Sequence, residues 1–158
     1  MAIYMKFGSI NGNVTTQNFK NWIELHSFQL GASRAVTSGS GGRSREGSNP
    51  SISEVVVTKD FDVASSKLFQ DAVAGHFDTK VEVKMTTTTK LGLETFLAVE
   101  FEKCGVASYS MSSGGDKPME SLSLNFLKML ITPSPLGHDG QVKKGDVVSY
   151  DLEKMKAS

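Results

Sequence analysis

Residue types that do chemistry are sparse in this chain, and none is spaced for it. The three histidines, His26, His76 and His138, stand far apart, and no HExxH or CxxC pattern gathers ligands for a metal. Cys104 is the one cysteine. Alone it forms neither an internal disulfide nor a zinc site, and at a strand end it suits a small buried hydrophobe. The stretch from Gly39 to Ser48 is rich in glycine and could suggest a phosphate cradle. It has no P-loop lysine, however, and no helical pattern follows whose terminus could hold an anion. No G-x-S-x-G elbow is present either. Asn13-Val14-Thr15 matches the glycosylation tripeptide, a pattern common by chance and dependent on a secretory route. The sequence therefore predicts no enzyme, no cofactor and no metal.

The arginines are the exception. Arg34, Arg43 and Arg45 are the only three, they lie within twelve residues, and the other fourteen of the seventeen basic residues are lysines. They sit in a segment, 31–51, with five glycines, six serines, one acid (Glu46) and no aromatic. One reading is a solvated loop; the other is a contact arm, because arginine's rigid donor fork holds carboxylates and carbonyls bidentately and is favoured at protein interfaces. A nucleic-acid arm fits poorly. No aromatic interleaves the arginines to stack on bases, and the seventeen acids cancel the seventeen basic residues to a net charge of zero. That balance also argues against a polybasic membrane adaptor.

The elements that would position these residues are mostly strands. Ile3, Met5 and Phe7 alternate with Tyr4 and Lys6; Val81, Val83 and Met85 alternate with Lys80, Glu82 and Lys84. Leu97, Val99 and Phe101, then Leu122, Leu124 and Phe126, repeat the pattern, as half-buried strands do. Spans near 52–59, 105–111 and 146–152 bring the set to roughly eight strands, a density that favours a closed barrel or sandwich. In 22–30 the apolar phase changes between Ile23/Leu25 and Phe28/Leu30, which predicts a bulge near His26-Ser27. The run Leu127-Lys128-Met129-Leu130-Ile131, which follows Phe126, is apolar on both faces. A neighbouring subunit or an internal helix would cover the second face.

One helix is predicted at about residues 65–75, with Leu68, Phe69, Ala72 and Val73 as its buried stripe. Ser65 is its expected N-cap and Gly75 its expected left-handed C′ residue. The fold class is mainly β: a small closed barrel of two packed antiparallel sheets, one flanking helix and a long extended loop over 31–51. With 158 residues, 39% of them hydrophobic and 22% charged, one domain over 1–158 is expected. The start MAIYMKFGSI shows no signal-peptide pattern, and no run approaches the roughly 18 apolar residues of a membrane helix. A cytoplasmic protein without membrane insertion is expected.

Longer stretches carry a family resemblance. They are Met5-Lys6-Phe7, Trp22-Ile23-Glu24-Leu25 with Ser27-Phe28-Gln29, Glu54 through Lys59 with Ala64 through Phe69, and Ser112-Ser113-Gly114-Gly115-Asp116 running on to Glu120 through Phe126. With Tyr150-Asp151-Leu152 they resemble Hcp, the haemolysin-coregulated tube-protein family of bacterial type VI secretion, over essentially the whole chain. Leu30 stands where many members have tryptophan, and Met119 where threonine is usual. The resemblance implies a β-barrel with one helix, assembled as a homohexameric ring. Such rings stack into a tube, are expelled by sheath contraction and carry or chaperone effectors in the lumen. Tube-tip and sheath proteins become expected partners, and export would proceed without a cleaved signal. The loop bearing Arg34, Arg43, Arg45 and Glu46 is the expected ring-stacking element. Gln29 is the candidate lumen or effector contact, and Leu127, Met129 and Ile131 the candidate subunit interface. The alternative is a monomeric barrel binding a small ligand or carbohydrate, with Trp22, Phe28 and Tyr109 at its mouth.

Overall fold

A computed structural model describes residues 1–38, 45–47, 50–154 and 156–157, with 37–38, 45–47 and 156–157 described through their backbone alone. Strand alternation explains most of it. In β1 (Ala2–Phe7), Met5 and Phe7 are buried. In β9 (Thr79–Thr89), Val81 and Val83 are buried while Lys80 and Glu82 face outward and pair along the strand at 3.3 Å. β8 (Val55–Asp60) turns Val55, Val57 and Lys59 inward, and β11 (Met119–Asn125) turns Glu120, Leu122 and Leu124 inward. In both, a charged residue shares the phase of the core.

The sheets are antiparallel throughout. The first runs β2 (Ile23–Leu25), β1, β9, β10 (Gly92–Ser112), β12 (Lys128–Pro133), β13 (Val148–Asp151) and β14 (Lys156–Ala157). The second runs β10, β11, β8 and β3 (Ser27–Gln29). The spans near 97–102 and 105–111, expected as separate strands, are one 21-residue strand, β10, which belongs to both sheets. It bends where Lys103 takes φ 50° and its pairing with β9 slips between Phe101 and Cys104. β11 and β12 bend beside it, at Phe126–Leu127. The phase change expected near His26 is present: β2 ends at Leu25, the His26 N–H donates to the Thr58 carbonyl at 2.7 Å, and β3 continues on the other sheet. Among the described residues no sheet closes on itself. The predicted barrel takes the form of two packed sheets joined by strands that bend from one to the other.

Between the sheets lies one core. Met5, Phe7, Val83, Val99 and Phe101 meet Val55, Val57, Leu122 and Leu124 there. Phe101 touches Phe126 and Phe28 at ring centroid distances of 4.6 and 6.4 Å. Each such side chain contributes about 1.5–3 kcal/mol on burial.

Helix α1 spans Ser65–Ala74, as the sequence predicts, but its orientation differs. Leu68 is fully buried, whereas Phe69 is 52% and Val73 68% exposed. The Asp71 carboxylate accepts the Val106 N–H at 2.8 Å, so the edge carrying Leu68 and Asp71 faces β10, while Phe69 meets Tyr109 of β10 at the rim and Val73 turns outward. Ser65 does not cap the helix by bonding an N–H in its first turn; Ala64 is the N-cap, without a side-chain bond. Gly75 is extended (φ −73°, ψ 161°), not left-handed. Its lack of a Cβ matters for another reason, since a side chain there would collide with the Asp71 carbonyl.

The expected long loop is a β-ribbon. β4 (Ala32–Ser33) pairs with β7 (Ser51–Ile52), and β5 (Val36–Ser38) pairs with β6 (Arg45–Gly47). At its base the Gly31 carbonyl accepts from the Ser53 N–H at 2.8 Å and the Ser53 hydroxyl at 2.9 Å. Residues 32–36 are all exposed.

Candidate assembly surfaces

The most ordered polar site was not singled out in the sequence. Lys59 Nζ lies 2.9 Å from Glu120 Oε2 and 2.9 Å from Asp62 Oδ1, and neither the Lys59 nor the Glu120 side chain is exposed. It donates to the Asp60 carbonyl at 2.7 Å and to the Ser65 hydroxyl at 3.2 Å. Ser65 Oγ in turn accepts from the Asp62 N–H, and Asp62 Oδ1 accepts from the Ala64 N–H, both at 2.9 Å. The ammonium thus organises the whole corner between β8 and α1. Desolvating these charges is expensive, and a buried pair of this kind is a poor source of stability compared with apolar packing. Fixing one conformation is what it does well. The Tyr109 hydroxyl, at the rim of the cluster, is pushed up to about 12 by desolvation first and then by Glu120.

Strand period places these charges. Lys59 continues Val55 and Val57, and Glu120 precedes Leu122 and Leu124, at spacing two. Lys59, Ser65 and Glu120 also fall within the stretches that carry the family resemblance.

Beside the corner, Asn13, Glu24, His26, Asp60, Asp62 and Lys117 line a shallow notch. His26 Nε2 is 2.9 Å from Asp60 Oδ1, and Lys117 Nζ is 3.9 Å from Asp60 Oδ2. The hydrogen bond from His26 is the main cause that holds the Asp60 carboxyl below its ordinary value. The corner itself presents Phe61, 47% exposed, and Val63, 64% exposed. The Phe61 N–H is tied to the Pro118 carbonyl at 2.9 Å.

Of the residues predicted to act in assembly, Arg34 is exposed on the ribbon. Arg45 and Glu46 lie on β6, opposite Ser38 and Thr37, and Arg43 falls outside the described residues. Gln29 is exposed at the end of β3, opposite Val56. The candidate interface divides. Met129 is buried in its own core and Ile131 packs against it, because both follow the phase of Phe101 and Val99 opposite them; Leu127, at the bend, is 38% exposed.

His76 and His138 are exposed and remote from the His26–Asp60 pair, and no three His, Cys, Asp or Glu side chains among the described residues gather as metal ligands. The Cys104 thiol is buried and pushed up to about 12, by burial first and then by the Asp71 charge. Trp22, Phe28 and Tyr109 do not share a mouth: Trp22 packs on Phe19, Phe28 on Phe101 and Tyr109 on Phe69.

Two packed antiparallel sheets, a docked helix and an exposed ribbon whose described strands pair with each other define a mainly β-protein. The family described as Type VI secretion system effector, Hcp, matches residues 4–132, and the chain belongs to it. A solved structure described as a type six secretion system protein superposes with a TM-score of 0.91 at 27% identity, covering 99% of each chain. Hcp1 from Salmonella typhimurium matches at 0.75 and 21% identity over 100% of both chains. Hcp2 from the same organism matches at 0.73 and 18% identity over 97% of both. No curated protein matches the sequence. No helix among the described residues is long and apolar enough to cross a membrane.

Proposed function

We propose that the chain is a structural subunit of the type VI secretion tube, not an enzyme. Six copies close a ring through heterologous contacts, in which two different patches of each subunit meet. The rings stack inside a contractile sheath, the tube is expelled without a cleaved signal, and effectors ride in its lumen. The ribbon carries this reading. An isolated two-stranded ribbon is marginal in water, and the described strands of this one pair with each other while residues 32–36 stand exposed, so contact with another molecule would support it. Arg34, Arg43, Arg45 and Glu46 then act between rings. Within a ring, Leu127 is the remaining exposed member of the β12-side interface, and Gln29 is the candidate effector contact.

Native mass spectrometry and electron microscopy test the reading together. The expected result is a hexamer with an open centre that lengthens into tubes at high concentration. Arg43→Ala with Arg45→Ala leaves ring mass unchanged and weakens tube formation. Rings that dissociate in that variant would place the ribbon inside the ring instead, and a monomer at every concentration would end the proposal.

A further inference from the structure

Pairing between β3 and β8 sets Ser27 opposite Thr58 and Gln29 opposite Val56. The ribbon leaves from the Gln29–Val56 end, through Gly31 and Ser53. His26, Asp60 and the corner residues Phe61–Val63 lie beyond the other end, past Thr58. Ribbon and corner therefore sit at opposite ends of one strand pair. A head-to-tail contact between copies brings the ribbon of one against the corner of the next, and a contact of this kind repeats without limit.

We propose that the corner formed by Asp60, Phe61, Asp62 and Val63 is the surface that receives the ribbon of a second copy, a reading that rests on the inter-ring role of the ribbon proposed above. Three observations support it. The corner is preorganised: the Lys59 cluster fixes Asp60, Asp62 and Ser65 at once, and a surface ordered beforehand loses less entropy on binding. It is apolar at its crest, where Phe61 and Val63 stand out of the surface, and the ribbon brings Val36, itself 57% exposed. Its rim also complements the ribbon in charge. Of the charges open to solvent around the notch, Glu24 and Asp60 outnumber Lys117, with Asp62 held by Lys59 behind them and His26 bonded to Asp60, while exposed Arg34 stands on the ribbon.

The decisive variant is Phe61→Ser with Val63→Ser, both at exposed positions outside the core. Loss of an apolar anchor at the centre of an interface is expected to raise the concentration needed for stacking about tenfold or more, with the mass of the single ring unchanged. A second measurement stands apart from any folding defect in that variant. Protein carrying Val36→Cys is mixed with protein carrying Val63→Cys, stacked and then oxidised; subunits linked across rings appear only in the mixture. If the unaltered protein stacks while the serine variant stacks equally well, or while the mixture yields no linked subunits, the corner is not the receiving surface and the inter-ring reading survives. If the unaltered protein forms rings that never stack, the inter-ring reading itself falls, and this proposal with it.

Discussion

Lys59 Nζ and Glu120 Oε2 meet at 2.9 Å with both side chains fully buried, joining β8 to β11 where the chain turns toward α1. Removing Lys59 strands the Glu120 carboxylate away from water, whereas removing Glu120 leaves Lys59 its bond to Asp62. Lys59→Met is therefore expected to lower unfolding stability by about 3–5 kcal/mol, measured by urea denaturation. Lys59→Met with Glu120→Leu should recover part of that loss, because apolar packing replaces the buried pair at little net cost while Asp62 still lacks its cation. A double variant no more stable than the single one would show that the pair holds the fold by more than its charges.

Met129 and Leu127 should behave differently although they are two residues apart. Met129→Ala opens a cavity in the subunit's own core and is expected to cost about 2–5 kcal/mol. Leu127→Ala should leave monomer stability within about 0.5 kcal/mol, as surface substitutions do, and weaken ring closure in native mass spectra. The reverse pattern would return Met129 to the interface.

Cys104 should resist thiol reagents in the folded protein near neutral pH, because burial pushes its thiol up to about 12 and the thiolate is the reactive form. Rapid labelling under native conditions would contradict this.

Alkaline stability should decline in a defined window. Tyr109 is raised from about 10 to about 12 in the fold, so its protonated form is favoured there. The stability this contributes is fully present below pH 10 and is lost as pH rises toward 12. Tyr109→Phe should flatten that part of the stability profile; an unchanged slope would refute the assignment.

At the acid end Asp60 acts in the opposite sense. Its lowered pKa, due first to the His26 hydrogen bond, favours the carboxylate. That contribution is present above the ordinary aspartate range and is lost as pH falls through the lowered value. In a His26→Gln variant the Asp60 carboxyl, followed by NMR, should titrate closer to its ordinary value.

Much of this fold was legible from residue period alone. Alternation located β1, β8, β9 and β11, and the phase change at Leu25/Phe28 located the His26 bend. The same rule, applied to Lys59 after Val57 and to Glu120 before Leu122, points both charges inward, against the general preference of Lys and Glu for the surface. Period says which face a residue takes, not which oppositely charged residue waits there. The helix stripe misled for a related reason. Phe69 and Val73 are apolar enough to bury, yet the Asp71–Val106 hydrogen bond rotates them outward. The Leu127–Ile131 run is apolar on two faces because Leu130, opposite Glu100, alternates with Met129 and Ile131, and the bend at Phe126–Leu127, which shifts the inward phase from Phe126 to Met129, leaves little trace in composition. The ribbon's pairing was hidden as well, since a segment of glycine and serine carries no alternation to read.

The length of β10 also bears on how the chain acquires its structure. β10 pairs with its immediate sequence neighbours, β9 across the Thr89–Gly92 turn and then β11 and β12. These are the cheapest loops to close, whereas β1 must find β9 across some eighty residues, with Ala2 opposite Thr86. We therefore expect the β9–β12 meander to be largely formed in the folding transition state, with β1 and β3 adding afterwards. Gly92 has φ +115° in that turn, a conformation strained for any side chain. Gly92→Ala should accordingly slow folding far more than it speeds unfolding. A substitution that acted mainly on unfolding would mean that a different part of the chain nucleates the sheets.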